Sequence, residues 1–106
     1  MKIQWHTADV PVHSEWRTLA EGRVHSALGR FSQRIARVDL YIRDENCPRR
    51  SVDKNCQLIA KLVPYGTIAV QDRDANLDVL IERGVDRLAR SVRRELDRRR
   101  TLRASG

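Results

Sequence analysis

Five arginines near the C-terminus, Arg83, Arg87, Arg90, Arg94 and Arg98, recur at three- and four-residue steps. A guanidinium stays charged at any physiological pH and presents a planar fork of N–H donors, so a row of them suits phosphate oxygens. Wound as a helix from Ile81, these five fall within one arc of roughly 180° to 260°. Glu82, Asp86 and Asp97 occupy the neighbouring arc, with Arg93 among them. A third side is apolar, because Leu77, Leu80, Ile81, Val85, Leu88, Val92 and Leu96 recur at helical spacing. Arg23 and Arg30, seven residues apart, share a flank of an earlier apolar stripe, either snorkelling from a core edge or adding to a basic groove.

Other residue types offer less. Cys47 and Cys56 flank the stretch CPRRSVDKNC, where free thiols are favoured over a disulfide across a hairpin base. Zinc would need two further ligands, and His6, His13 and His25 lack metal spacing, so no metal or other cofactor is expected. Asp72 and Asp74 read as helix-entrance caps rather than a carboxylate pair for acid–base work. No glycine-rich phosphate loop or supported Ser-His-Asp order is present, so no catalytic residue, enzyme activity or small-molecule substrate is expected. Trp5, Trp16 and Phe31 fall on inferred core faces, which argues against recognition of single strands by base stacking.

The location of the charge supports the arginine row. Residues 87–103 hold eight Arg against Glu95 and Asp97, whereas residues 1–86 carry thirteen basic and twelve acidic groups of a chain whose net charge is +7. An excess concentrated on one helix and its tail is the footprint of a polyanion binder, most commonly of nucleic acid. The competing explanation is a solvated helix in an Arg-rich chain, with 18 Arg to 3 Lys. The 106 residues suit one domain. No apolar run approaches a membrane span, and MKIQWHTADV lacks an apolar core like that of a signal peptide, so a soluble, cytoplasmic protein without a membrane partner is expected.

The elements that must position these groups follow from periodicity. Residues 2–6 alternate as a strand with Ile3 and Trp5 on one face. Pro11 follows, and Ser14 is the expected N-cap of a helix over Glu15–Phe31 with Trp16, Leu19, Ala20, Val24, Ala27, Leu28 and Phe31 as its stripe. Strands are expected over 36–43, with Val38, Leu40 and Ile42 inward, over 56–63 and over 67–71, with 44–53 as a loop. The last helix spans Leu77–Arg100, capped by Asp74 or Asn76 and interrupted by Gly84. The result is a single α+β domain over 1–102, in the order β-α-β-β-β-α. Its four-stranded sheet carries both helices on one face; the first strand is parallel to the second by a right-handed crossover, and the rest are antiparallel. A disordered tail is expected over 103–106.

Several stretches resemble, in collinear order, the short form of the ribosome hibernation-promoting factor and ribosome-associated inhibitor family of bacteria and plastids. These are Met1-Lys2-Ile3-Gln4 with Val10-Pro11-Val12, Arg30-Phe31-Ser32-Gln33-Arg34-Ile35, Gly66-Thr67-Ile68-Ala69-Val70, and Asp74 followed by Ile81-Glu82 and Val85-Asp86-Arg87-Leu88. Leu77-Asp78-Val79-Leu80 stands where that family has Met-Tyr-Ala-Ala. The resemblance implies a fold like double-stranded RNA-binding domains and a non-enzymatic role. The partner it implies is the small ribosomal subunit, with docking on 16S rRNA in the mRNA and tRNA channel under stress or in stationary phase. Arg87 and Arg90 match the family's basic positions in the last helix, and Arg94 and Arg98 its basic continuation. The alternative is a protein-interaction module, including a homodimer, that pairs the basic arc of one helix with an acidic arc of another.

Overall fold

The computed structural model describes residues 1–7, 13–45 and 53–105. Strand β1 (Lys2–His6) leads to helix α1 (Ser14–Leu28), a 3-10 turn (Gly29–Arg34), β2 (Ile35–Glu45), β3 (Asp53–Leu62), β4 (Thr67–Asp74) and helix α2 (Leu77–Ser105). The sheet order is β1-β2-β3-β4. β1 runs parallel to β2 in the register Ile3 to Val38 and Trp5 to Leu40. β2–β3 and β3–β4 are antiparallel. Element order, sheet topology and the α+β class agree with the sequence reading.

Because side chains alternate across a strand, each strand commits one face to the core. Val38, Leu40 and Ile42 of β2 meet Cys56, Leu58 and Ala60 of β3, and α1 contributes Ala20, Val24 and Leu28. Helix α2 seals this cluster with Leu80, Ile81, Val85, Leu88 and Val92, the stripe that its spacing marks out, with Leu77 and Leu96 partly buried at either end. Trp5, Trp16 and Phe31 pack on the core margin. Trp5 and Trp16 meet edge to face at 5.4 Å and place their indole N–H donors on Glu21 at 2.8 Å and on Asp78 at 2.7 Å, so both polar tips are satisfied.

Several boundaries differ from expectation. Helix α1 starts at Ser14 with His13 as N-cap, and no side chain caps it. It gives way to the 3-10 turn after Leu28 rather than reaching Phe31 in α form. Leu19 is 69% exposed, a departure from its expected place in the stripe. Residues 44, 45 and 53 belong to strands, so the β2–β3 hairpin is longer than expected; residues 46–52, Cys47 included, lie outside the described residues. The helical backbone continues to Ser105, past the expected end of the helix at Arg100. With α2 this long, the radius of gyration is 15.1 Å, against roughly 13 Å for a compact chain of this length.

Two glycines mark close approaches. Gly66, at φ 106° in the β3–β4 turn, would collide with the Arg99 guanidinium if it carried a Cβ. Gly84 lets α2 descend onto β3, since a Cβ there would lie 2.7 Å from Leu58 Cδ1.

Cys56 is a free thiol within the core. Burial, helped by the nearby Asp72 charge, pushes its thiol up to about 12. The reactive thiolate is therefore absent in mildly alkaline buffer. Iodoacetamide is expected to leave Cys56 unmodified in the folded protein and to alkylate it fully in denaturant, as read by peptide mass mapping.

Candidate nucleic-acid interface

The arginine arc is carried by α2, and α2 is positioned by its N-terminus as well as by its apolar stripe. Asn76 is the cap: its side-chain oxygen accepts from the N–H groups of Asp78 at 2.9 Å and Val79 at 3.2 Å. Asp74 instead accepts from the Asn76 N–H at 2.9 Å. Asp72 and Asp74 are not entrance caps, because β4 continues through them. The alternation that points Ile68 and Val70 at α2 points these two carboxylates there as well.

That placement splits the arc. Arg83 donates to Asp72, reaches Asp74 at 3.4 Å and donates to the Arg73 carbonyl at 3.0 Å. Arg87 donates to the Gln71 carbonyl at 3.1 Å and sits 3.6 Å from Asp72. Both guanidinium groups thus clamp α2 to the β4 edge instead of projecting outward. Arg98 is held by Glu95 at 2.6 Å. Arg99 lies over the Tyr65 ring at 4.4 Å and tethers the end of α2 to the β3–β4 turn. Arg90 and Arg94 are exposed and have no partner among the described residues.

The flank of α2 away from β4 faces α1. Arg30, Arg90 and Arg93 line one end of the interhelical groove together with Ser26, Phe31 and Asp86, around a cavity of about 550 Å³. Arg30 lies 5.8 Å from the Phe31 ring centroid, which holds its head at the groove wall. At the other end, Leu19, Gly22 and Val85 line a cavity of about 660 Å³, and Arg23 crosses it to Glu82 at 3.2 Å. Arg23 is thereby spent on a cross-helix ion pair, whereas Arg30 belongs to the basic groove. Arg93, assigned from sequence to the acidic arc, is the residue that spacing along α2 alone missed. Its position beside Arg30 depends on which flank α1 covers.

Exposed ion pairs contribute from nothing to about 1 kcal/mol. The Arg98–Glu95 pair is therefore cheap to exchange for a phosphate. Releasing Arg83 costs more contacts, since its guanidinium serves two carboxylates and a carbonyl. The hydrogen bond from Arg83 holds the Asp72 carboxyl below the usual carboxylate range, and that from Arg98 does the same for Glu95. A depressed folded-state value contributes stability above the unfolded value, about 4, that is lost as pH falls through the folded value. Denaturant melts are therefore expected to show constant stability from neutral pH to about 4 and a decline below it. Asp72→Asn should flatten part of that decline. The same variant removes one of the two carboxylates that hold Arg83 and the one beside Arg87, and should steepen the salt dependence of polyanion binding.

Among the described residues, no group of three or more His, Cys, Asp or Glu is arranged to hold a metal, and no helix is long and apolar enough to cross a membrane. The arrangement presents donors to anions.

Comparison with known proteins agrees with the fold. The pattern of the family described as Sigma 54 modulation protein / S30EA ribosomal protein matches residues 3–100. The N-terminal domain of Thermus thermophilus Protein Y is similar at a TM-score of 0.71 and 21% identity, covering 89% of this chain and 98% of that one. A ribosomal subunit interface protein from Coxiella burnetii is similar at a TM-score of 0.62 and 20% identity, covering 95% and 99%. No curated protein shows significant similarity.

Proposed function

The chain belongs to the Sigma 54 modulation protein / S30EA ribosomal protein family, and from that premise we propose that it is a ribosome-associated hibernation factor. It docks the exposed face of its helices on 16S rRNA in the mRNA and tRNA channel of the small subunit and silences translation under stress or in stationary phase. It acts in the cytoplasm by occupancy and not by catalysis. The observation that carries this reading is the pair Arg90 and Arg94, exposed and without a partner among the described residues, beside a groove that adds Arg30. Guanidinium groups not already spent on carboxylates are what phosphate contacts require. The description of the Coxiella protein as a ribosomal subunit interface protein supports the choice of partner.

The competing reading pairs the basic arc with the acidic arc of a second copy or another helix. Much of that acidic arc is consumed within the chain: Glu82 holds Arg23 at 3.2 Å, and Asp97 holds Arg100 at 3.1 Å. Of its three carboxylates that leaves Asp86 to attract a partner's arginines, which supports RNA over a partner helix. Fractionation of stationary-phase cells on sucrose gradients tests the proposal. The chain is expected in small-subunit or whole-ribosome fractions, and confinement to the top of the gradient, with dimers that persist after ribonuclease treatment, would favour the protein-interaction reading.

A further inference from the structure

The groove between α1 and α2 holds one acidic group that phosphate binding does not use. Asp86 lines both of its cavities, of about 660 Å³ and about 550 Å³, and so stands where the two meet. Arginines surround it, yet each is otherwise placed. Arg23 is paired with Glu82 at 3.2 Å, and Arg93 lies 3.9 Å from Asp97. Arg30 rests against the Phe31 ring at 5.8 Å. Arg90, one turn on from Asp86, is exposed without a partner among the described residues, and Asp86 is likewise exposed and unpaired among them. Of the two carboxylates that line these cavities, Glu82 is therefore taken and Asp86 is open. Ser26 of α1 lines both cavities from the facing wall.

A carboxylate accepts hydrogen bonds and donates none. It repels phosphate, so its place in a basic groove calls for a ligand that brings donors to that point. Among the RNA bases, guanine alone carries two adjacent N–H donors on its Watson–Crick edge, at N1 and at the N2 amino group. Adenine and cytosine offer one amino group beside a ring nitrogen that accepts. Uracil offers one N–H between two carbonyls. Two parallel N–H···O bonds to a carboxylate are both strong and orienting. The remaining atom of the guanine edge, O6, accepts, and the Ser26 hydroxyl across the groove is a donor for it. Each cavity lies within the roughly 300–1,000 Å³ of small-ligand sites, ample for one base.

We propose that the interhelical groove reads a guanosine extruded from the bound RNA strand, with Asp86 accepting from N1 and N2 of the base. The phosphates on either side are held by Arg90 and by Arg94, one turn further along α2. Unstacked bases read on their Watson–Crick edges are the usual route to sequence-specific RNA recognition. The exposed arginines supply affinity without sequence information, and Asp86 supplies the choice of base. This inference rests on the reading of Arg90 and Arg94 as RNA contacts and adds a base requirement to it.

Fluorescence anisotropy of a labelled pentauridylate whose central residue is replaced by guanosine, inosine or adenosine tests the proposal on the full chain. Wild type is expected to bind the guanosine strand about tenfold more tightly than the adenosine strand. The inosine strand, which lacks the N2 amino group, should fall between them. Asp86→Ala should bind all three alike, and the adenosine strand at least as tightly as wild type does, because the repulsion of phosphate goes with the carboxylate. The proposal is overturned if wild type binds the three strands equally, or if Asp86→Ala keeps the preference for guanosine. If no strand binds at low salt while small ribosomal subunits still pellet with the chain, the guanosine reading falls alone. If neither binds, the reading of Arg90 and Arg94 falls with it. Guanosine monophosphate that displaces the guanosine strand at comparable concentration would overturn the strand as occupant and assign the groove to a free nucleotide.

Discussion

Reversing Arg90 and Arg94 together to Glu is expected to abolish binding to small ribosomal subunits without unfolding the domain. Neither side chain has a partner among the described residues, and both are exposed, so their replacement leaves no buried group unpaired. A hydrogen bond to a charged group contributes about 1.5 kcal/mol or more. Loss of two such contacts, before any added repulsion from the new carboxylates, weakens binding by about a hundredfold or more. Thermal melts of the variant should stay within about 3 °C of wild type, since exposed substitutions fall within about 0.5 kcal/mol. The same reversal at Arg83 would behave differently. It would set a carboxylate against Asp72 and Asp74, and its loss of binding would be inseparable from loss of the α2–β4 clamp. Adding Arg30→Glu to the first pair should deepen the defect if the interhelical groove also meets phosphate.

The largest effect on stability is expected at the contact of Gly84 with Leu58. Read along the sequence, this glycine is an interruption of a helix, costing about 1 kcal/mol relative to Ala. In the fold it is the point where α2 rests on β3, with Leu58 Cδ1 2.7 Å from the position a Cβ would occupy. Gly84→Ala sets the gain in helix propensity against that contact, and the two roughly cancel if Leu58 can rotate away. Gly84→Leu cannot be accommodated so easily, because Leu58 is fully buried. Overpacking of this kind costs about 1–3 kcal/mol, which corresponds to a drop in melting temperature of roughly 4–20 °C for a domain of this size. Leu58→Ala alone should cost about 2–5 kcal/mol through the cavity it leaves. If the two side chains compete for the same space, the double variant will lose less than the sum of the two. Strict additivity in denaturant melts would show that α2 does not rest on β3 there.

These residues also show what was legible beforehand. The α2 stripe from Leu77 to Leu96 and the inward set Val38, Leu40 and Ile42 were readable because burial follows periods of 3.6 and 2. The same rule, carried further along β4, would have placed Asp72 and Asp74 on the face with Ile68 and Val70. Their polarity disguised them as caps. Periodicity likewise located five arginines on one arc but not their partners, because the carboxylates that hold Arg83 and Arg87 lie on another element. Arg93 and Leu19 were misjudged for a related reason. Which flank of α2 is covered by α1, and how far α1 tilts, are tertiary facts that no single helix's pattern contains.

The measurement that bears most directly on the central claim is pelleting of the chain with purified small ribosomal subunits through a sucrose cushion over a salt titration. Binding is predicted at low ionic strength, with log affinity falling linearly against log salt as phosphate contacts release counterions. Failure to pellet even at low salt, or binding that is indifferent to salt, would contradict a protein that docks through arginines on ribosomal RNA.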